Sequence, residues 1–379
     1  MKILVIGQPD SLHTLSFVRF LKSSIANLDI TFFPSSPMPV SKDLAALVDL
    51  PYRNPYEAKV PADYYWNSQF SVAPSPFSGN VGDLVSLMSE RKFDRIHVNC
   101  IQDAGLLLLN AFETGFQKQS KCVSLSIWGN DIYLFQHFPV HNEKIKRLLS
   151  FVDIIFPESS REISLASENG FAGLFTPLVQ ATLLTNSDLA YYRNLLVQKA
   201  KRKLITIRSD PASPRTFSTI FLYFLTRYPD LVQEYEICIV GLSPMDTILA
   251  SELKMIFGNR LTILPSLARY QFLELIAETQ IFVSLTRSDG VPNSFLECLA
   301  LRAYPFFSDQ AGLRDWSSRA FFTQVSPYNV DEIRYAIEKI FKVPECTFRR
   351  RIEENISALD FYSPEYVSKC VRVGFEVTC

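Results

Sequence analysis

The chain has 379 residues, 47% of them hydrophobic and 20% charged, enough for two ordinary globular domains with cores of their own. Its 38 Lys and Arg balance 39 Asp and Glu for a formal charge of −1, which argues against nucleic acid as the main partner, because binding a polyanion rests on a surplus of basic side chains. No stretch approaches the roughly 20 apolar residues that span a bilayer, and the apolar run in MKILVIGQPD is only a strand long and lacks a small-residue cleavage site, so no secretory signal is expected.

Residues 2–6 form an apolar run that predicts a buried strand ending at Gly7, and 12–21 predict the helix after it. Strand, turn and helix in that order open a doubly wound α/β domain, whose ligands gather at the carboxyl ends of its strands. The turn between them lacks GxGxxG and is no dinucleotide fingerprint. His13, at the helix start, stands where it would meet a substrate, or else serves the structure alone. The second strand is 30–33. Residues 37–80 lose periodicity and gain Pro, Tyr and Trp; a segment of that kind is functional or mobile, and Tyr64, Tyr65 and Trp66 have the chemistry to stack on a sugar. A strand at 94–99 carries His97 near its end, a strongly apolar helix follows at 106–112, and a strand at 123–127 runs into Trp128, Gly129, Asn130 and Asp131. After a helix end, a strand and a Ser-rich turn in 148–163, residues 170–178 complete the first half, and the polar stretch 186–202 is the expected inter-domain connection.

The second half restarts the pattern: strands at 204–207, 236–240 and 261–264, a helix beginning at 217, another at 267–280, and helices at 330–341 and 365–375. The turn after its first strand holds Arg208 and Arg215. Residues 281–309 say most about chemistry, reading strand, tight loop, helix, strand. Pro292 and Asn293 make a helix start, where a proline's missing N–H is no loss, and Phe295, Leu296, Leu299, Ala300 and Ala303 repeat as a buried stripe. The opposite face carries Asn293 and Glu297 one turn apart, with Asp289 and Gly290 in the loop at the helix N-terminus. Two carboxylates beside unpaired backbone N–H groups and the positive end of a helix dipole suit a phosphate with an attached polyol. A surface loop with an ordinary capped helix accounts for the same spacing. The seven cysteines are scattered and never in CxxC spacing, so they read as buried or free thiols in a reducing cytoplasm, with no metal site.

The run Asp289, Gly290, Val291, Pro292, Asn293, Ser294, Phe295, Leu296, Glu297 resembles the donor signature of retaining GT-B glycosyltransferases, those that are glycosyltransferase family 4-like, in which two acids flank seven residues. Asp289 replaces the usual first Glu. The Trp128 to Asp131 loop is similar to a family loop facing the donor sugar, with Trp128 where a histidine is common. The resemblance implies an α/β GT-B fold: two doubly wound Rossmann-like domains at 1–185 and 203–358, an inter-domain crevice, and a C-terminal helix at 359–379 returning to the first domain. It also implies transfer of a sugar, with retention, from a nucleotide-diphosphate sugar to a hydroxyl of a sugar or glycolipid acceptor, in bacterial polysaccharide or envelope glycan synthesis. Asp289, Asn130 and Asp131 would be catalytic; Arg208 and Arg215 would stabilise the diphosphate. Gly290, Val291, Asn293, Ser294 and Glu297 would bind the donor, Glu297 at the ribose, with Gly312 as a close-approach residue over the phosphates. His13, His97 and Trp128 would lie on the acceptor or sugar side. No metal or other cofactor is expected. The expected location is cytoplasmic, with peripheral association at the inner face of the membrane. A non-catalytic GT-B partner subunit and a nucleotide-sugar epimerase on the same fold are the alternatives.

Overall fold

The computed structural model describes residues 1–36, 38–51, 81–115, 122–179, 191, 203–209, 217–287 and 289–376. The aromatic cluster of 64–66, nearly all of the connection expected at 186–202, and Arg215 lie outside the described residues. The chain divides into two compact units, Met1–Leu183 with Tyr362–Cys379, and Leu184–Phe361, each built on its own six-stranded parallel sheet.

In unit 1 the strands are β1 (Lys2–Gly7), β2 (Asp29–Pro34), β3 (Arg95–Asn99), β4 (Cys122–Ile127), β5 (Ile154–Pro157) and β6 (Leu174–Phe175), in the order 2-1-3-4-5-6. The helices are α1 (Leu12–Ser24), α2 (Lys42–Ala45), α3 (Val81–Glu90), α4 (Leu106–Glu113), α5 (Pro139–Phe151) and α6 (Ser160–Glu168). A parallel sheet covered on both faces favours apolar residues at successive positions, and β1 supplies them from Ile3 to Ile6. Leu4 and Ile6 face one core with Ile96, Val98, Val123 and Leu125; Ile3 and Val5 face the other with Phe17, Phe32 and Phe156. Ser11 starts α1 by accepting from the His13 N–H at 3.2 Å.

In unit 2 the strands are β7 (Leu204–Arg208), β8 (Glu236–Val240), β9 (Leu261–Leu264), β10 (Ile281–Ser284), β11 (Tyr304–Ser308) and β12 (Thr323–Val325), in the order 12-11-10-7-8-9. The helices are α7 (Ser218–Arg227), α8 (Thr247–Phe257), α9 (Arg269–Glu278), α10 (Asn293–Ala300), α11 (Val330–Phe341) and α12 (Glu345–Glu354). The last helix, α13 (Pro364–Glu376), belongs to unit 1: Val367, Val371 and Phe375 join the core lined by Phe17 and Phe156, and Arg372 Nε donates to the Ser24 carbonyl at 3.2 Å. A side chain at Gly374 would put its Cβ 2.4 Å from the Phe156 ring, so the close seating of α13 requires glycine there.

Two local readings change. Pro292 sits one residue before α10 as its N-cap, not inside the first turn. Arg302 occupies the left-handed position, φ 57°, at which α10 ends; the Ala303 N–H donates to the Cys298 carbonyl at 2.9 Å and the Arg302 N–H to that of Leu299 at 3.4 Å, a Schellman ending normally built with glycine. Among the cysteines, Cys100, Cys238, Cys298, Cys346 and Cys370 are free, but Cys122 on β4 is disulfide-bonded, against the expectation of thiols throughout.

Candidate functional site

The strand order of unit 2 fixes where a ligand would sit on it. From β7 the chain proceeds outward through β8 and β9, then returns to lay β10, β11 and β12 on the other side of β7. The crossovers diverge between β7 and β10, and the crevice outside the carboxyl ends of such a strand pair is where doubly wound sheets bind ligands. Arg208 is the last residue of β7, half-buried, and the 285–292 loop leaves β10 beside it. That loop is anchored twice. The Leu285 carbonyl accepts from the Phe217 N–H at 2.8 Å, tying it to the start of α7. Ser308 Oγ, at the end of β11, accepts from the Thr286 N–H at 3.0 Å and donates to the Thr286 carbonyl at 2.7 Å, while Gln310 Nε2 donates to both Thr286 Oγ1 and Ser308 Oγ.

Held in this way, the loop delivers Asp289, Gly290 and Val291 to the start of α10. Asp289 Oδ1 accepts from the Gly290 N–H at 3.0 Å. Pro292 brings no side-chain acceptor, so α10 begins without a side-chain cap. Ser294 Oγ is buried with no hydrogen-bond partner among the described residues, as is Gln310 Oε1 in the support beneath the loop. Glu297 is buried on the next turn, with Arg269 Nη1 from the first residue of α9 at 2.7 Å from its Oε1. Asn293 lies one turn before Glu297 on the same helix, half-buried. Gly312, in the 3₁₀ turn Ala311–Trp316, approaches the same loop: a Cβ there would stand 2.3 Å from the Gly290 carbonyl oxygen. Its close approach within the protein is thus to the backbone of Gly290.

The opposite flank of the switch point is organised by Asp246, a residue the sequence does not single out. It is fully buried, and its carboxylate accepts hydroxyl donors from Ser209 at 3.0 Å, Ser218 at 2.9 Å and Ser243 at 3.0 Å, as well as from Thr219. Ser209 follows Arg208 at the end of β7, Ser218 and Thr219 open α7, and Asp246 itself is the N-cap of α8. One carboxylate therefore lies at the starts of two helices, whose positive ends stabilise it.

In unit 1 the divergence falls between β1 and β3. The structure brings His13 and Trp128 together there, ring centroids 5.1 Å apart. Trp128 Nε1 donates to Asn99 Oδ1 at 3.1 Å, and Asn99 Nδ2 to Thr14 Oγ1 at 2.9 Å, so the exits of β3 and β4 and the start of α1 are linked. Asp131 Oδ2 accepts from the backbone N–H groups of Trp128 at 3.0 Å and Ile101 at 3.1 Å, which makes this buried carboxylate the anchor of its loop. Asn130, half-buried, is carried on the same anchored turn. Behind it, Glu158 accepts from the Gly129 N–H at 3.1 Å and Arg161 donates to the Gly129 carbonyl at 2.5 Å.

Asp103 joins the cluster by accepting from Gln8 Nε2 at 2.5 Å; its carboxyl is held above the usual range by burial, opposed by the Gln8 bond and assisted by nearby Asp10. It rides on the π-helical turn Ile101–Gly105, entered through Cys100 at φ 120°, ψ 157°, a conformation an L residue adopts only under constraint. Sequence periodicity carries no signal for a π turn, which is why nothing in the sequence singles out Asp103.

His97 is not brought to this end of the sheet. It points into the core, fully buried and stacked on Phe17 at 4.0 Å, with Ser124 Oγ 3.0 Å from Nδ1 and Ser126 Oγ 3.2 Å from Nε2. Burial lowers its pKa to about 3. The acceptor-side expectation for His97 is corrected on that ground: β3 is buried along its whole length, and both ring nitrogens are engaged by serines of β4.

Among the described residues no group of three or more His, Cys, Asp or Glu is placed to hold a metal, and no helix is long and apolar enough to cross a membrane. No protein-family model matches the chain, and no curated protein matches it. Solved structures do. HepE from Anabaena, in complex with UDP and glucose, superposes with a TM-score of 0.66 at 14% identity over 99% of each chain. A sucrose-phosphate synthase from Thermosynechococcus elongatus gives 0.68 at 13% identity, over 97% of this chain and 96% of that one. A UDP-forming α,α-trehalose-phosphate synthase from Burkholderia xenovorans gives 0.69 at 12% identity over 99% of each. The fold is GT-B.

Proposed function

We propose that the chain is a retaining glycosyltransferase that moves a sugar from a nucleotide-diphosphate sugar to a hydroxyl acceptor. One observation carries the reading: the segment Asp289 to Glu297 leaves β10 at the switch point of a Rossmann-ordered sheet and begins a helix without a side-chain cap, next to Arg208 at the end of β7. That geometry fits a diphosphate at the start of α10 with a ribose further along, because backbone N–H groups and the helix dipole favour an anion and a carboxylate accepts from hydroxyls. The names of the similar structures, with UDP, UDP-glucose and sugar phosphates among them, support the same substrate class.

In this reading Arg208 and Arg215 stabilise the leaving diphosphate, Asp289 and Asn293 address the transferred sugar, Glu297 holds the ribose, and Gly290, Val291 and Ser294 bind the donor. In the same reading His13 and Trp128 contact the acceptor or the sugar, and Asn130 and Asp131 act with Asp289 as catalytic residues. The leaving phosphate helps to deprotonate the acceptor hydroxyl on the face it departs from, so the anomeric configuration is kept. No metal is required, and the setting is bacterial glycan synthesis at the cytoplasmic face of the membrane.

The test is a thermal-shift series with UDP, GDP, ADP, dTDP and their common sugars, run on the native protein and on Glu297→Ala. A ligand that binds the folded state raises its melting temperature, by an amount equivalent to about 2.7 kcal/mol at a hundredfold excess over Kd. One nucleotide should stabilise the native protein and lose its effect in the variant. A folded native protein that responds to none of them overturns the reading. A second reading, a non-catalytic partner subunit, is favoured by Trp128 at the position where the family commonly has histidine. Nucleotide binding without transfer to any acceptor would select it.

A further inference from the structure

Arg269 and Glu297 form a pair whose hydrogen-bonding capacity is left open. Arg269 Nη1 stands 2.7 Å from Glu297 Oε1, an ion pair, yet Oε1 has no hydrogen bond in line with it, and the buried Nη2 of Arg269 has none either among the described residues. Folded proteins rarely leave buried donors and acceptors unused, and exceptions call for an explanation. Both groups lie at the carboxyl end of the unit 2 sheet, Arg269 opening α9 after β9 and Glu297 on α10 after β10. Glu297 is 4% exposed and the Arg269 side chain 32%, while Nη2 and Oε1 themselves are buried, so the two unused groups lie beneath the exposed part of the arginine.

The chemistry of the two groups is one-sided in opposite senses. A guanidinium only donates and an ionised carboxylate only accepts. A carbonyl ligand would satisfy Arg269 and leave Glu297 wanting, whereas an ammonium would do the reverse. A vicinal diol serves both, since each hydroxyl donates through its hydrogen and accepts through its oxygen. Resting on the nucleotide-sugar reading above, we infer that Arg269 is the second half of the ribose site: it holds Glu297 in place and donates through Nη2 to a ribose hydroxyl oxygen, so the chain selects ribonucleotides over their deoxy counterparts.

The experiment is calorimetric titration of the full chain with UDP, GDP and ADP and with the 2′-deoxy and 3′-deoxy form of whichever binds, on the native protein, Arg269→Gln and Arg269→Lys, each checked for folding by its melting curve. The native protein should bind the ribonucleotide roughly ten- to a hundredfold more tightly than at least one deoxy form, as a hydrogen bond to a charged donor implies. In Arg269→Gln that ratio should fall towards one, and Arg269→Lys, which keeps a charge to pair with Glu297 but no second N–H2, should show a reduced ratio as well. If Arg269 only positions Glu297, Arg269→Lys, which keeps the ion pair, retains the native ribo-to-deoxy ratio while Arg269→Gln lowers it; if it merely braces α9 against α10, ribo and deoxy affinities fall by the same factor in both variants; either result overturns the inference. Equal native affinity for all three sugars overturns it too. Binding of none of the nucleotides brings down the donor reading and this inference with it, an outcome distinct from the others.

Discussion

Gly312→Ala places a methyl group where the backbone of Gly290 already is. Its Cβ would lie 2.3 Å from the Gly290 oxygen and 2.7 Å from the carbonyl carbon. Carbon and oxygen approach to about 3.3 Å at closest in folded proteins, so the two segments must part by about 1 Å. Gly312 is outside the left-handed region, so the penalty is steric and not conformational. Nor is relief easy, because the obstructing atoms are backbone, in a loop fastened through Thr286 to Ser308 and Gln310. Overpacking of this kind costs about 1–3 kcal/mol, and a rigid neighbour puts the expectation in the upper half of that range. For a domain of this size each kcal/mol moves Tm by about 2–4 °C, so a fall of roughly 4–12 °C is expected. The assay is thermal unfolding with and without UDP, with Gly170→Ala as contrast. Gly170 has φ 88° and nothing within 4 Å of the point where a Cβ would stand, so alanine there meets a conformational cost alone, about 1 kcal/mol. If Gly312→Ala melts within about 1 °C of the native protein, the claim that the 311–316 turn fixes Gly290 is refuted.

Acidification should act through His97. Its folded pKa of about 3 lies below the unfolded 6.5, so its contribution is intact above pH 6.5 and is lost as pH falls towards 3, by about 3 kcal/mol at pH 4. Denaturant midpoints of the native protein and His97→Asn between pH 7 and 4 should converge as pH falls; parallel curves would contradict the burial argument. Arg302→Gly should raise Tm by about 2–4 °C, because glycine removes a left-handed penalty of about 1–2 kcal/mol and loses less than about 1 kcal/mol to unfolded-state entropy; a lower Tm would show that the arginine stem stabilises the helix end by packing. Asp246→Asn should lower stability by about 2 kcal/mol, since an amide cannot accept from four hydroxyls, while the exposed Asp230→Asn should stay within about 0.5 kcal/mol; equal midpoints in chemical denaturation would contradict the Asp246 assignment.

The parts of the molecule written in local pattern were legible. Apolar β-branched runs at 2–6, 123–127 and 281–285 mark central parallel strands because both faces are covered, and the Pro292–Asn293 start with its buried stripe marks α10. What the sequence did not reveal depends on groups that meet only in the fold. Asp246 draws its four hydroxyls from three separate segments of chain, and nothing near it in sequence announces that meeting. Arg269 and Glu297 are brought together by α9 packing beside α10. His97 misled for a related reason: a histidine near a strand end looks available, and only the register that sets it beside Ser124, across from Phe17, shows that it is enclosed.

At the unit 2 switch point, charge decides which side takes an anion. The first turn of α7 is already occupied, since Ser218 and Thr219 both donate to the Asp246 carboxylate, and a second negative group there would meet that charge held in the interior. At the start of α10 Pro292 contributes no side-chain acceptor, and the helix dipole is directed at the loop that carries Asp289 to Val291, where Asp289 Oδ1 accepts from the Gly290 N–H. Glu297, one turn into α10, would by itself oppose an anion at that pole. Arg269 at 2.7 Å offsets its charge and leaves its oxygens to hydroxyls. A phosphate at the helix start followed by a diol beside the Glu297 and Arg269 pair is the ligand that suits the helix dipole and that pair together.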